Sequence, residues 1–187
     1  VNDNGATVTF TDVGDESKEE SISGEKVLVA IGVAPRCDGL FAGSLNIELE
    51  HGFILTDAKT ATEPTYQTSV SGIYAIGDII GPPLLAHVAT EEAVTCIERM
   101  NGQHTLGVDY NSIPNCTYTK PQIASIGKTE QQLMDEGVEY IKGVYSLKSH
   151  GKAIAVGSTE GMVKLLASKP YGEILGAHII GQDASEL

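Results

Sequence analysis

In the stretch TSVSGIYAIGD, Thr68 to Asp78, a short apolar run (Ile73, Tyr74, Ala75, Ile76) ends in Gly77-Asp78. Pro82-Pro83 then lead into a helical pattern. Buried strand, glycine, carboxylate and helix N-terminus, in that order, is how α/β folds present a carboxylate to the hydroxyls of a ligand. This order constrains the chain more than any other feature, and it makes Gly77 and Asp78 candidate ligand-binding residues.

The segments on either side are legible from periodicity. Residues 6–12 alternate as a half-buried strand, the acidic segment 14–20 reads as a solvated turn, and 21–23 resume an extended run. Lys26 to Ile31 (KVLVAI) is apolar and β-branched between Gly24 and Gly32, the pattern of a strand buried on both faces. A short strand is expected at Phe53 to Thr56, and a polar connection at Thr60 to Thr68. Leu84 to Met100 predicts a helix whose shared face carries Leu85, Ala89, Ala93, Cys96, Ile97 and Met100, with Asn101-Gly102 closing it. Gln103 to Ser112 lacks periodicity and marks a domain boundary.

Beyond Ile113 the pattern changes to strands and turns. Strands are expected at Ile123 to Ile126, Tyr140 to Leu147, Ala153 to Val156, Met162 to Ala167 and Ile174 to Ile180. The turn Lys169-Pro170-Tyr171-Gly172 makes the last two an antiparallel hairpin. Thr129 to Gln132 forms a capping box that opens a short helix, which Gly137 ends. The fold class is therefore α/β followed by α+β with an antiparallel sheet.

Twelve basic against 25 acidic side chains leave a net charge of −13, which argues against nucleic acid and anionic membranes as partners. No apolar run approaches the ~20 residues that cross a membrane. Cys37, Cys96 and Cys116 are far apart and odd in number, and read as free thiols of a reducing compartment. The five histidines are equally scattered, with no metal-ligand spacing, so no metal site is expected. Val1 stands where a methionine would start a chain, and Asp183 to Leu187 reads as the opening of a helix, so both ends are expected to be cut. Losing that helix is expected to uncover the apolar face of Ile174 to Ile180 and favour association.

At three places the sequence resembles the pyridine nucleotide-disulfide oxidoreductases, most closely their dihydrolipoyl dehydrogenase branch. KVLVAIGVAP, Lys26 to Pro35, looks like the strand that leaves the NAD-binding domain, and the resemblance gives Gly32 close backbone approach to the dinucleotide. Val33, Ala34 and Arg36 depart from the Arg and Asn that the family often has around the proline. TSVSGIYAIGD followed by PLLAHVATEEA resembles the segment in which an aspartate, here Asp78 after Gly77, accepts hydrogen bonds from the ribitol hydroxyls of FAD. Leu84, Leu85, Ala86 and His87 match the helix start beneath the flavin, where free N–H groups and the helix dipole favour negative charge. His87 contributes its side chain or only its backbone there.

IPNCTYTKPQIASIGKTEQQL and the closing TEGMVKLLASKPYGEILGAHIIGQDASEL resemble the family's interface domain, which makes a two-fold dimer. Tyr118, Pro121, Ile123, Ala124, Gly127 and Thr129 fit its opening, and Gly161, Lys164, Gly176, His178, Gly181, Ser185 and Glu186 fit its closing hairpin. Gln122 replaces a common glutamate, a change of polar contacts more than of fold. His178 lies in an alternating strand and is read as a packed or hydrogen-bonded histidine.

The resemblance implies residues 1–35 as the end of an NAD-binding domain, 36–108 as the last segment of a Rossmann-like FAD-binding domain, and 109–187 as a truncated interface domain. It implies FAD and NAD as cofactors, both sites incomplete here, and a homodimer. The reaction implied for the parent enzyme is oxidation of protein-bound dihydrolipoamide. Lipoyl-bearing 2-oxo acid dehydrogenase or glycine cleavage components would be its partners, in a bacterial cytoplasm or mitochondrial matrix. The glycine-rich FAD and NAD turns, the redox cysteine pair and the His-Glu base pair are not in this sequence. No catalytic residue is therefore assigned, and the chain alone is expected to be inactive and to bind FAD weakly. The alternatives are an isolated dimerisation module without catalysis, or a related reductase of the glutathione or mercuric type.

Overall fold

A computed structural model describes residues 5–187 of the chain. Its backbone divides into two compact units, 1–36 and 37–187, each taken by itself below.

In the first unit, β1 (Ala6–Asp12) and β2 (Asp15–Gly24) form an antiparallel hairpin, with Val8 opposite Ile22 and Phe10 opposite Glu20. The alternation of residues 6–12 does make a strand, but a largely exposed one rather than a half-buried one. The turn is also tighter than 14–20, because the ladder already resumes at Asp15. Lys26 to Ile31 departs further from expectation: it forms no strand, and Leu28 is 89% and Ile31 94% exposed. A strand buried on both faces needs neighbours that accept its N–H groups and cover its side chains. Among the described residues no strand pairs with it.

The second unit begins with a core built largely from loops. β3 (Leu49–Glu50) and β4 (Phe53–Ile54) make a minimal hairpin, and the buried residues Ile47, Ile54, Ala58, Tyr66, Ala75, Ile80 and Cys96 cluster beside it. Asp57 organises this region. Its carboxylate accepts from the Thr65 N–H and hydroxyl at 2.8 Å each and from the Tyr66 N–H at 2.7 Å. Tyr66, fully buried with φ +62°, then accepts from the Ala75 N–H at 3.0 Å. Ile73 to Ile76 therefore forms only a single bridge, Tyr74 to Gln67, rather than a buried strand.

α1 (Ala86–Met100) is the long helix. Its buried residues are Val88, Glu92, Thr95 and Cys96, whereas Ile97 is 62% exposed, so the face turned inward is more polar than the expected one. Arg99 fastens its C-terminal end, donating to the Glu63 carboxylate at 2.7 Å and to the carbonyls of Glu63, Pro64 and Gln103. Cys96 of the expected face is buried and Leu85, Ala89 and Ala93 are half-buried, so only Ile97 and Met100 depart from it, and the polar anchors at Glu92 and Arg99 help fix that rotation.

The rest of the unit is a five-stranded antiparallel sheet in the order β5-β6-β9-β8-β7. Its strands are β5 (Asn115–Thr117), β6 (Gln122–Gly127), β7 (Tyr140–Ser146), β8 (Met162–Ser168) and β9 (Ile174–Gly181). β8 and β9 form the expected hairpin, Lys164 opposite His178. The Thr129–Gln132 capping box opens α2 (Glu130–Asp135), which buries Leu133 completely. Glu130 accepts from Lys142 at 2.7 Å and Tyr140 at 3.0 Å, and lies 3.5 Å from Lys164, tying α2 to β7 and β8.

Two further segments differ from the reading of the sequence. Gly151–Ala155 is a short helix, α3, because Ile154 N–H bonds back to the His150 carbonyl instead of joining the sheet. Asp183 carries φ +58° and no capping bond, and Ala184–Glu186 makes one tight 3₁₀ turn where a helix start is expected. His178 Nε2 lies 3.0 Å from the Lys128 carbonyl, which can only accept, so that nitrogen carries the proton.

Candidate functional site

The candidate site is the turn between the Tyr74 bridge and α1. Gly77 begins a 3₁₀ turn, Gly77–Ile80, with φ +73°, a conformation that glycine adopts without strain. A Cβ at Gly77 would stand 3.1 Å from the Ala89 Cβ, so the turn lies close against the first turn of α1. Its N–H donates to Glu92 Oε2 at 2.6 Å, and the other oxygen of that carboxylate accepts from the Tyr110 hydroxyl at 2.6 Å. Burial first, and then the Glu92 carboxylate, push the Tyr110 hydroxyl far above its ordinary range, so it stays a donor.

Asp78 follows immediately and is exposed. Among the described residues its carboxylate caps no turn and joins no ion pair: the 3₁₀ turn starts without a side-chain cap. An ionised carboxylate is an acceptor-only group, and here both oxygens are open to donors from outside. Leu84, Leu85, Ala86 and His87 form the entry to α1 from Pro82-Pro83. Leu85 is its N-cap and supplies no side-chain bond. The N–H groups of Ala86, His87 and Val88 thus have no partner within the helix and favour a negative or electron-rich group. His87 itself is exposed.

Lys59 holds the connection between the Gly-Asp turn and α1. Its ammonium donates to the Ile80 carbonyl at 3.3 Å and to the Pro82 carbonyl, and lies 5.7 Å from the centre of the Tyr110 ring. Burial lowers its pKa, an effect that the nearby Glu92 charge opposes.

Six of the expected site residues thus lie in the second unit, Gly77 and Asp78 in the 3₁₀ turn and Leu84, Leu85, Ala86 and His87 at the entry to α1, whose first turn Gly77 meets at Ala89. The seventh, Gly32, lies in the first unit, exposed and with φ +111°. Neither a group of three potential metal ligands nor a disulfide occurs among the described residues.

Residues 113–187 match the pyridine nucleotide-disulphide oxidoreductase dimerisation domain, and residues 1–93 match the pyridine nucleotide-disulphide oxidoreductase domain. The chain belongs to the pyridine nucleotide-disulphide oxidoreductases. Among relatives of this family, it is 40% identical over 170 residues to dihydrolipoyl dehydrogenase 2, mitochondrial, of Arabidopsis thaliana, covering 91% of this chain and 32% of that protein. It is 38% identical over 173 residues to the dihydrolipoyl dehydrogenase of Rhizobium etli, covering 92% and 35%. The mitochondrial dihydrolipoyl dehydrogenase of Bos taurus is 39% identical, at 91% and 32% coverage. The chain therefore spans about a third of the length of the curated relatives it matches.

Solved structures share its fold. LpdA of Mycobacterium tuberculosis superimposes with a TM-score of 0.80 at 23% identity, over 89% of this chain and 35% of that one. The HOCl-induced flavoprotein disulfide reductase RclA of Escherichia coli gives 0.78 at 20% identity, over 89% and 38%. No helix among the described residues is long and apolar enough to cross a membrane.

Three residues that build the site, Glu92, Tyr110 and Lys59, are absent from the sequence reading. Glu92 carried a usable signal: with Val88, Thr95 and Cys96 it repeats at helical spacing, a lone acid on a face of small and apolar side chains. Tyr110 carried none, because it lies in the aperiodic segment Gln103 to Ser112.

Proposed function

We propose that this chain forms the latter part of a flavoprotein disulfide oxidoreductase of the dihydrolipoyl dehydrogenase type, and that Asp78 binds the ribitol hydroxyls of FAD. One observation carries the reading: an exposed carboxylate without a partner, following a positive-φ glycine that lies against the first turn of an uncapped helix. Vicinal hydroxyls are donors, Asp78 offers only acceptors, and the donor set and the cofactor match. When bound, FAD would supply electron transfer between a dithiol and NAD. The chain's own part is to orient: Asp78 holds the sugar alcohol, and the N–H groups of Ala86 and His87 favour electron density on the ring. Leu84 and Leu85 would cover its apolar surface, and His87 would act through its backbone. Gly32 would admit NAD closely, since nothing stands within 4 Å of where its Cβ would be.

In this reading residues 1–35, 36–108 and 109–187 belong to the NAD-binding, FAD-binding and interface domains, and the last forms a homodimer. The substrate is protein-bound dihydrolipoamide, presented by a lipoyl-bearing complex in a reducing compartment, either a bacterial cytoplasm or the mitochondrial matrix. Identities near 40% with proteins named dihydrolipoyl dehydrogenase favour this substrate over glutathione or mercuric ion.

The deciding experiment replaces Asp78 by Ala in the full-length protein that carries this segment and titrates FAD into the apoprotein. We expect FAD affinity to fall by about tenfold or more, the worth of a charge-assisted hydrogen bond. An unchanged affinity would overturn the assignment. Reduction of the bound flavin by dihydrolipoamide but not by reduced glutathione decides the branch.

A further inference from the structure

We infer that Glu92 is the positioning residue for Asp78, acting through the Gly77 backbone, with Tyr110 as the second donor that holds it. The inference rests on the cofactor reading of Asp78 and goes beyond it. Glu92 is only 2% exposed, yet among the described residues it forms no ion pair within 4.0 Å. The Lys59 ammonium acts on it only from beyond ion-pair distance, and burying a carboxylate without a directly paired cation is costly. Its two oxygens are instead divided between two donors on separate segments, Gly77 N–H and Tyr110 O–H, each at 2.6 Å.

The geometry couples these contacts to the ligand-facing residue. Gly77 sits at φ +73°, packed against Ala89, and Asp78 is the next residue in the same 3₁₀ turn. A change in φ or ψ at Gly77 would redirect Asp78, the next residue. The Glu92 bond fixes the Ile76–Gly77 peptide on the near side of that hinge, because the N–H it holds is that of Gly77. The Tyr110 bond in turn opposes rotation of the Glu92 side chain. Among the described residues Asp78 has no side-chain bond that orients it, so the backbone at Gly77 and Asp78 sets the direction in which its side chain leaves the turn.

The test uses the full-length flavoprotein carrying this segment, with Glu92→Leu, Glu92→Gln, Asp78→Ala and the double variant Glu92→Leu/Asp78→Ala. FAD is titrated into each apoprotein. Glu92→Leu should weaken FAD binding by about tenfold, and Glu92→Gln by less than about threefold, since the amide keeps an acceptor for Gly77 and offers a donor to Tyr110. In the Asp78→Ala background Glu92→Leu should add almost nothing, because the residue it positions is gone. A merely structural glutamate would instead give effects that multiply, and that result, or unchanged binding in Glu92→Leu, overturns the inference while leaving Asp78 as a ligand. If Asp78→Ala alone binds FAD normally, the cofactor reading fails and the inference falls with it.

Where Glu92→Leu does not fold, Tyr110→Phe replaces it and should weaken FAD binding while retaining the fold; normal binding then overturns the inference. A readout without flavin comes from amide hydrogen exchange at Gly77 in the full-length apoprotein. Exchange should accelerate about tenfold in Glu92→Leu and stay near wild type in Glu92→Gln. An unaltered rate in Glu92→Leu overturns the inference.

Discussion

The backbone N–H of Gly77 donates to Glu92 Oε2 at 2.6 Å, so a turn that carries an exposed acid is held by a buried acid fifteen residues after its first residue. The contact fixes the distance between the turn and α1 as well as its angle. Gly77→Ala tests both. The new Cβ meets Ala89 at 3.1 Å and forces alanine to φ +73°. We expect a loss of about 1–3 kcal/mol by urea denaturation. Adding Ala89→Gly should restore only part of that loss, since it relieves the contact and leaves the backbone strained.

The Glu130 cluster should make stability depend on pH. The hydrogen bond from Lys142 leads the effects that hold this carboxyl below its ordinary value of 4.5, with Tyr140 adding to it, and the same contact raises the Lys142 pKa. A depressed carboxyl contributes stability that is fully present above the unfolded value and lost as pH falls through the folded one. Melting temperatures measured from pH 7 down to 3 should therefore decline less steeply below 4.5 in Glu130→Gln than in wild type. Equal slopes in that window would exclude the cluster as a source of acid sensitivity.

Leu133 of α2 has no exposed surface. Leu133→Ala should destabilise the second unit by about 2–5 kcal/mol, read from chemical denaturation. Thr129→Ala, which removes the capping bond to Gln132 N–H, should cost about 1 kcal/mol. The larger effect belongs to the packing rather than to the cap.

The three thiols should separate by accessibility. Burial raises the Cys96 pKa, and the residue is 4% exposed, whereas Cys37 and Cys116 are partly accessible. Maleimide labelling followed by mass spectrometry should modify Cys37 and Cys116 in the native chain, and Cys96 only with denaturant. Native labelling of Cys96 at the same rate would place its helix face outward.

The second half of the chain was legible in its sequence because its signals are local. Thr129 and Gln132 cap within one turn, and Lys169 to Gly172 close a hairpin whose strands alternate, so neighbouring residues carry the whole instruction. Lys26 to Ile31 failed for the opposite reason: its composition suits a strand, but a strand also needs neighbours, and none pairs with it here. Ala153 to Val156 failed because a short apolar run has no period long enough to tell helix from strand. At the candidate site, Gly77 and Asp78 stood out by order along the chain. The bond from Tyr110 to Glu92 spans eighteen residues and left no mark in either segment.

α1 keeps Glu92 and Thr95 inside while Val94, Ile97 and Met100 look outward. Its two sides therefore obey different rules of substitution. The outer side is chemically anonymous and tolerates recolouring with lysine or glutamate, a direct route to a more soluble chain. The inner side is addressed: position 92 must offer one acceptor to one amide, and a hydrophobe of equal bulk is no substitute. A tolerance map of the helix would therefore spare Val88 and Cys96 as any buried face does, and add to them a fixed acid.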